Sequence, residues 1–222
     1  MPLGRPSRRL VLLVLLAAPP ALGTAEPAGA AARRADLAVA SNLEAAAGRA
    51  GLRPEVLRLA LRAHARVAAD GLTARPILTV IDYSLRSRVP RLWVLDLREG
   101  RVLARELVAH GRGTGDDEAR RFSNRAGSLQ SSLGTFITGP TYRGKHGRSL
   151  RLKGLDRGLN DRAEARAIVI HSADYVNPQI VHRLGRLGRS QGCPALSPSA
   201  APRVIDLIRD GTVVFSYHPS IA

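Results

Sequence analysis

The stretch RLWVLDLREGRVLARELVAH, residues 91–110, contains two apolar runs joined by a short polar turn. The runs RLWVLDL (91–97) and RVLARELVAH (101–110) are rich in Leu and Val, and REGR (98–101) between them carries a glycine. Two such runs separated by a few turn residues are typical of a β-hairpin. The stretch therefore predicts two antiparallel strands that pair with each other.

Similar short runs recur over the rest of the chain. They are ILTVID (77–82), GTFITG (134–139), RSLRL (148–152), RAIVIH (166–171) and GTVVFSY (211–217). They follow one another too closely for a helix after every strand, which excludes a doubly wound α/β sheet. One helical pattern, APRVIDLIRD (201–210), interrupts them and ends before Gly211. We therefore predict a mainly β domain over residues 76–219 with one C-terminal helix.

The residues before this domain have a helical pattern. DLAVASNLEAAAGRAG ends at Gly51, and a second amphipathic pattern begins near Pro54 and ends at Gly71. We therefore predict a helical N-terminal segment over residues 36–75. Residues 26–35 are rich in Ala, Gly and Pro and are predicted to be a linker.

The first residues have the order of a secretory signal peptide. Three arginines, at positions 5, 8 and 9, precede the apolar run LVLLVLLAA (10–18), and small residues follow up to Ala25. The run is too short to span a bilayer as a mature helix, and no cysteine follows it that would carry a lipid anchor. We predict a signal peptide over residues 1–25, a periplasmic or secreted location, and no stable membrane span after cleavage. An uncleaved anchor is the alternative.

The chain is strongly basic, with a formal net charge of +16 over 222 residues. Nearly all of the positive charge is arginine, because Lys145 and Lys153 are the only lysines. Such a charge favours anionic surroundings such as nucleic acid, anionic lipid or a cell-wall polymer, or it simply solvates the surface. The sequence has no zinc-finger spacing and only 4% aromatic residues, which argues against a nucleic-acid partner.

The only cysteine, Cys193, lies in the turn-rich stretch GRSQGCPAL, residues 188–196. In an oxidising compartment an unpaired thiol suggests reactivity, although a buried structural cysteine is the alternative. Gly192 removes a side chain that would obstruct a substrate, and the amides of Gly192 and Cys193 are expected to face a developing oxyanion. Pro194 then directs the chain away from the site.

A thiol reacts as its thiolate and needs a group that removes its proton. The next helix begins at least four residues beyond Cys193, too far for its dipole to act. His171 ends the apolar run AIVIH, at the end of a predicted strand, where catalytic groups are often displayed. We therefore predict Cys193 as the nucleophile and His171 as its general base.

Most of the predicted domain resembles a known family. The stretches that carry the resemblance are RLWVLDL, VAHGRGTG, RFSN, GSLQSSLGTFITG, YRGKHGRSLRLKGLDRGLND, RAIVIHSADYV and GRLGRSQGCPAL. They are similar to the murein L,D-transpeptidase catalytic domain family, a branch of the superfamily marked by a His and a Ser-x-Gly-Cys loop. The resemblance implies a β-sandwich-like catalytic fold and a secreted or periplasmic cysteine enzyme without cofactor or metal. It also implies peptidoglycan stem peptides as the partner.

The resemblance assigns residues one at a time. Cys193 matches the nucleophile, His171 the base, Ser190 a supporting serine of the loop and Gly192 the glycine of the oxyanion hole. The group that orients the imidazole in this superfamily is often a backbone carbonyl, and the resemblance implies the carbonyl of Ser172 for this role. The carboxylate of Asp174 is the chemical alternative.

The chain also departs from the superfamily pattern. Gln191 occupies the place of a second histidine, and Pro194 and Ala195 replace an Arg or Asn after the cysteine. We expect a thioester on Cys193 with release of D-Ala, followed by attack of an amine to form a 3→3 cross-link. Attack by water on the same scaffold, or a non-catalytic protein that binds the cell wall, are the alternatives.

Other residues are weaker candidates. Ser131 and Ser132 are expected to line a substrate cleft. His146, His182 and His218 lack the spacing of zinc ligands. Any of five basic residues is a candidate clamp for a substrate carboxylate, and for each a plain surface role is as plausible: Arg143, Lys145, Arg148, Arg186 and Arg189.

Overall fold

The computed structural model describes Met1 and residues 28–221, with side chains from Arg33 onward. The predicted signal peptide, apart from Met1, lies outside the described residues. The described part of the chain forms four α-helices: α1 (Ala28–Arg49), α2 (Pro54–Ala69), α3 (Pro178–Leu184) and α4 (Ala201–Ile208). A short 3₁₀ turn, Pro219–Ile221, follows the last strand.

The same residues form eight strands, listed here in chain order: β1 (Ile77–Asp82), β2 (Leu92–Asp96), β3 (Arg101–Glu106), β4 (Gly134–Gly144), β5 (Gly147–Gly154), β6 (Val169–Ser172), β7 (Ala195–Leu196) and β8 (Val213–Tyr217). They make one sheet with the spatial order β3-β2-β1-β8-β4-β5-β6-β7. The pairs β1–β8 and β6–β7 are parallel and the other neighbours are antiparallel.

The hairpin predicted at residues 91–110 is confirmed as β2 and β3. The Asp96 carboxylate accepts the backbone amides of Arg98 and Glu99, and Gly100 adopts a φ of +61° that closes the turn. The hairpin could be predicted because its apolar strands and its turn residues are neighbours in the sequence.

The sheet curves until its two edges approach each other. The chain leaving β3 reaches β7, where the amide of Ala109 donates to the carbonyl of Ala195 at 2.9 Å and the reverse bond measures 3.3 Å. A second bridge joins Gly111 to Ser190. This near-closure satisfies backbone groups that an open edge strand exposes, and it places residues 109–112 against the segment that leads to Cys193.

One core lies between the sheet and α4. Alternate residues of the strands, including Leu92, Val94 and Val214, point to this side and pack against Val204, Ile205 and other apolar residues of α4. The opposite side chains of the same strands, among them Trp93, form a second core on the other face. Because both faces are buried at the centre of the sheet, β1, β2 and β8 are buried on both sides, whereas β3 and β5 carry exposed charged residues.

The N-terminal helices cover that second face. Val56, Ala60, Ala63 and Val67 of α2 recur at helical spacing and are buried against the sheet. The indole nitrogen of Trp93 donates to the carbonyl oxygen of Ala50 at 2.8 Å, at the end of α1. The helices therefore complete the hydrophobic core of the sheet.

The mainly β fold with N-terminal helices and a C-terminal helix is confirmed, with local differences. Helix α1 begins at Ala28, so most of the stretch interpreted as a linker, 26–35, is helical. The run 166–171 is a strand only from Val169, because residues 161–167 form turns. The helix α3 was not predicted. No helix of the described residues is long and apolar enough to cross a membrane.

Candidate active site

His171 and Cys193 line the same cleft. The cleft has a volume of about 570 Å³ and lies between the tip of the β4–β5 hairpin, the segments 126–129 and 165–169, and the loop 189–193. His171 lies in β6, which pairs in register with Ala195 of β7, two residues beyond Cys193. The sheet therefore brings together two residues that are 22 positions apart in the sequence.

The His171 ring is held by a backbone carbonyl. Its Nδ1 lies 2.8 Å from the carbonyl oxygen of Ser172. A carbonyl oxygen only accepts, so Nδ1 carries the proton and Nε2 is left as the acceptor. The carboxylate of Asp174, the alternative orienter, is on an exposed residue and makes no hydrogen bond to this ring among the described residues.

A second histidine covers the first. The ring of His146, at the tip of the β4–β5 hairpin, stacks on His171 with a centroid distance of 4.3 Å and an interplanar angle of 27°. Burial lowers the pKa of His171; the hydrogen bond to Ser172 acts in the opposite direction, and the nearby His146 and Lys145 lower it further. The imidazole is therefore neutral at pH 7.

The Cys193 side chain is half-buried and points to a backbone carbonyl. Its Sγ lies 3.6 Å from the carbonyl oxygen of Ala167, and no hydrogen bond joins it to His171 among the described residues. Burial raises the pKa of the Cys193 thiol, against the smaller effects of the Val169 amide and of the charges of Arg166 and Lys145. Thiol and imidazole are both neutral, so the resting site holds no preformed ion pair.

Ala167, the acceptor of the thiol, has an unusual backbone conformation. Its φ is +53°, and Leu129 on another side of the cleft has a φ of +58°. Non-glycine residues pay a steric cost there, commonly about 1 kcal/mol or more, so the surrounding contacts must impose it. Two of the three such residues in the described chain line this cleft, the third being Asp210.

The loop that carries Cys193 is closed by Ser190. The Ser190 hydroxyl donates to the carbonyl oxygen of Cys193 at 2.6 Å and accepts the amide of Gly192 at 3.1 Å. Ser190 thus supports the loop, because its hydroxyl bonds the backbone two and three residues further along the chain. Because the Gly192 amide is committed to Ser190, it does not face the cleft as the oxyanion prediction required. Gln191 is exposed at the cleft.

Gly192 is required by the protein's own packing. Its φ is +128°, and a Cβ added there would lie 2.8 Å from the carbonyl oxygen of Gln130. The prediction that the missing side chain makes room for substrate is therefore wrong in its reason, since the backbone of residue 130 occupies that space.

Ser131 joins two backbone segments and does not line the cleft. Its hydroxyl accepts the amide of Gly111 at 3.0 Å and donates to the carbonyl of Gly192 at 3.1 Å. Ser132 is also buried, where it donates to the Ser123 carbonyl and accepts from Arg166. The expectation that the two serines line the cleft is wrong, because both hydroxyls serve the loops beneath it.

A buried Arg–His pair lies under the same loops. Arg91 is fully buried, donates to the carbonyl of Val108 at 3.0 Å and to Nδ1 of His110 at 2.7 Å. His110 in turn directs Nε2 to the carbonyl of Gly115 at 3.3 Å, and its own carbonyl accepts the amide of Ser190. Burial, with the charge of Arg91, lowers the pKa of His110 to about 4, so the ring is neutral.

Of the five basic residues considered as clamps, two line the cleft, Lys145 and Arg189. Arg189 pairs with Asp116 at 2.7 Å, and Arg186 lies 3.7 Å from the same carboxylate. Arg148 pairs with Asp206 at 2.6 Å, outside the cleft. No cluster of His, Cys, Asp and Glu in the described residues is arranged to hold a metal ion.

The sequence was compared with family models and with known proteins. The model of the L,D-transpeptidase catalytic domain matches residues 49–217. The chain belongs to this family. The resemblance of its motifs is thereby confirmed, and the matched range takes in α2, the whole sheet and both His171 and Cys193. No curated protein matches the sequence significantly.

Several solved structures of L,D-transpeptidases are similar to the chain. One, from Mycobacterium smegmatis, is 18% identical with a TM-score of 0.40 and covers 64% of this chain and 59% of its own. L,D-transpeptidase 3 from Mycobacterium tuberculosis, in complex with a faropenem-derived adduct, is 14% identical with a TM-score of 0.43 and covers 64% and 60%. The chain thus spans less than two thirds of these two proteins.

A third structure matches over more of its length. It is the L,D-transpeptidase from Xylanimonas cellulosilytica (residues 123–326), which is 18% identical with a TM-score of 0.37 and covers 91% of this chain and 100% of its own.

Sequence reasoning missed several residues of this cleft. His146 was considered only as a metal ligand, and Arg166 was not considered at all. The turn glycines Gly144 and Gly147 mark a hairpin tip in the sequence, but only the register of β5 against β6 places that tip over His171. In this register Ser149 of β5 lies directly opposite His171 of β6.

The first prediction concerns the ionisation of Cys193. Alkylation by iodoacetamide requires the thiolate, and burial raises the thiol pKa. The labelling rate of the folded protein should therefore rise with pH through one inflection above the ~8.5 of an unperturbed thiol. The only cysteine of the chain makes mass spectrometry of the intact protein an unambiguous readout. A rate plateau already present near pH 6 would indicate a thiolate–imidazolium pair and contradict the prediction.

The second prediction concerns His110. Below pH ~6.5 the unfolded chain protonates this histidine, whereas the folded protein does so only near pH 4. The unfolded state binds more protons between these values, so the free energy of unfolding should fall as pH drops through them, by about 3 kcal/mol. Urea denaturation at several pH values measures this. His110→Asn should flatten the dependence, while His182→Asn, at an exposed position, should leave it unchanged.

Proposed function

We propose that the protein is an exported cysteine L,D-transpeptidase that acts on the peptide stems of peptidoglycan. The observation that carries the proposal is the arrangement of His171: its Nδ1 is bound to the Ser172 carbonyl, which leaves Nε2 free to accept a proton, in the cleft that Cys193 also lines. In a chain of the L,D-transpeptidase catalytic domain family, this pair supports acyl transfer through a thioester.

In the first half of the reaction, the sulfur of Cys193 attacks the carbonyl carbon of the third stem residue. His171 Nε2 accepts the thiol proton as the C–S bond forms. The C–N bond to the fourth residue then breaks, and His171 returns the proton to the leaving amine of D-Ala. A thioester on Cys193 remains.

In the second half, an amine of another stem attacks the thioester carbonyl. His171 removes a proton from the amine, the C–S bond breaks, and the thiol is restored by that proton. The product is a 3→3 cross-link. Because both groups rest in their neutral forms, His171 acts as a general base during attack and does not hold a thiolate beforehand.

The Cys193 thiol has to change its hydrogen-bond partner before attack. In the resting site Sγ is directed to the Ala167 carbonyl, so the thiol has to leave this weak acceptor to reach Nε2. Catalytic hydrogen bonds are often loose in unliganded sites and shorten when substrate binds. The Cys193 amide is the remaining candidate from the predicted oxyanion pair, because Ser190 holds the Gly192 amide.

The third prediction tests the reaction. The mature protein, incubated with muropeptides that carry tetrapeptide stems, should form 3→3 dimers that liquid chromatography with mass spectrometry identifies. Cys193→Ser should abolish them, and His171→Gln should lower the rate by about 10²–10⁴-fold through loss of the general base. Ser199→Ala, an exposed serine outside the cleft, serves as the control.

The rival functions give different products in the same experiment. Tripeptide monomers with free D-Ala and no dimers would favour a carboxypeptidase, and loss of pre-existing cross-links would favour a hydrolase. Unchanged muropeptides, together with sedimentation of the protein with sacculi, would favour a non-catalytic protein that binds the wall.

The fourth prediction tests export. Cleavage after Ala25 removes three arginines and no acidic residue, which lowers the formal charge from +16 to about +13. Because the predicted signal peptide ends at Ala25, mass spectrometry of the protein recovered from the cell envelope or medium should find an N-terminus at Glu26. A full-length chain that sediments with membranes would support the uncleaved anchor instead.

A further inference from the structure

The cleft around Cys193 is lined by positive charge. Its lining residues include Lys145, Arg166 and Arg189, and none of the described residues that line it is an Asp or a Glu. A concave site with charges of one sign attracts ligands of the other sign. The cleft therefore favours a substrate with a negative group close to the reacting atoms.

The protein already engages the two arginines. Arg166 donates to the carbonyl of Gln130 at 2.6 Å, to the carbonyl of Ser123 and to the hydroxyls of Ser128 and Ser132. Arg189 is bound by the Asp116 carboxylate at 2.7 Å and by the Gly115 carbonyl at 3.1 Å. Their donors hold the loops of the cleft and leave little capacity for a ligand.

Lys145 differs from both arginines. It lies exposed at the tip of the β4–β5 hairpin, where Gly144 and Gly147 pair with each other and place Lys145 and His146 at the turn. Its ammonium has no hydrogen-bond or ion-pair partner among the described residues, and its charge acts on both His171 and Cys193. It is thus a cation in the lining of the cleft that holds His171 and Cys193, with all of its donors available.

The neighbouring histidine holds this tip in place. The stacking of His146 on His171, at 4.3 Å between ring centroids, attaches the hairpin tip to the base. Ser149, two residues after the turn, is paired with His171 across β5 and β6, which fixes the same hairpin next to its tip. Lys145 is therefore positioned relative to the reactive atoms by the fold, although its side chain is exposed.

We propose that Lys145 binds the carboxylate of the residue that leaves the donor stem. This rests on the proposed function, in which the bond broken is the one that precedes the terminal residue of the stem. The carboxylate carbon of that residue is three bonds from the scissile carbonyl carbon, and therefore within about 4 Å of it. An ammonium that lines the same cleft as Cys193 is thus in the part of the protein where this carboxylate must lie.

The contact defines a substrate class. A stem whose leaving residue ends in a free carboxylate gains a charge-assisted hydrogen bond, whereas a stem extended or capped at that position does not. Lys145 accordingly selects donors by their terminal charge, and takes no part in the transfer of protons.

The fifth prediction compares two synthetic donors that differ only in this group, a tetrapeptide stem with a terminal carboxylate and the same stem with a terminal carboxamide. The wild-type protein should prefer the acid in kcat/KM, and Lys145→Gln should reduce the acid-to-amide ratio by about tenfold or more. Lys153→Gln is the matched control, because it removes the same charge from an exposed position of β5 outside the cleft. It should retain the wild-type ratio.

A second measurement does not depend on transpeptidase activity. Cys193 is alkylated with iodoacetate, which carries a carboxylate, and with the neutral iodoacetamide, and the ratio of the two rates is compared. Any effect of Lys145 on the thiol pKa alters both rates together and cancels in the ratio. Lys145→Gln should lower the iodoacetate-to-iodoacetamide ratio severalfold, and Lys153→Gln should not.

These outcomes separate the two proposals. If neither donor reacts with the wild-type protein but the alkylation ratio still falls only in Lys145→Gln, the transpeptidase proposal fails and the anion contact stands. If the alkylation ratio is unchanged in Lys145→Gln, or falls equally in Lys153→Gln, the assignment to Lys145 is overturned. An acid-to-amide ratio that survives Lys145→Gln overturns it in the same way.

Discussion

The contact on which the site depends is the close approach of two glycine backbones, Gly111 and Gly192. A Cβ at Gly111 would lie 2.8 Å from the backbone nitrogen of Gly192, and one at Gly192 would lie 2.8 Å from the Gln130 carbonyl. Side chains are thus excluded where the three segments meet, and the Ser131 hydroxyl bonds two of them together. The position of Cys193 follows, since it is the next residue after one of these backbones.

Two buried or half-buried arginines hold loops next to these segments. Irregular loops leave carbonyl oxygens that no ladder satisfies, and a guanidinium with five donors can satisfy several of them at once. Arg91 takes the carbonyls of Leu85 and Val108, and Arg166 takes those of Ser123 and Gln130. Some of the many arginines, which the composition alone suggests are surface residues, therefore support the loops of the cleft.

Features that depend on residues close together in the sequence could be predicted, and features that depend on contacts between distant residues could not. Strands and the turn at residues 98–101 were predictable because their signals are local, and His171 was found because a strand carries it into the site. The helix α3 was missed although it has a local signal, Asn177 as N-cap, Pro178 at its first position and Gly185 beyond its end. It is only seven residues long and none of them is buried, so the sequence has no apolar stripe that would predict a helix there.

The rest of the site was not predictable for a physical reason. The partners of Ser131 are 20 and 61 residues away, so nothing near the serine indicates that its hydroxyl is enclosed. The same holds for His146, whose contact with His171 depends on strand register. Gly192 was singled out correctly by its type, but whether a glycine makes room for a ligand or for the protein's own backbone is decided only by the fold.

The neutral state of the reactive pair bears on why a single cysteine is tolerated. A thiolate at rest is the form that oxidants and disulfides attack, and the proposed location is an oxidising one. Burial raises the pKa of Cys193 and lowers that of His171, which keeps the proton on sulfur in the resting site. In the proposed reaction it leaves the sulfur only when a substrate carbonyl is in reach. Lys145 acts within the same scheme, because a cation that favours the thiolate only weakly at rest is placed where a substrate carboxylate would engage it. In the proposed reaction, the cleft thus combines a protected thiol, Cys193, with a base, His171, that acts when substrate binds.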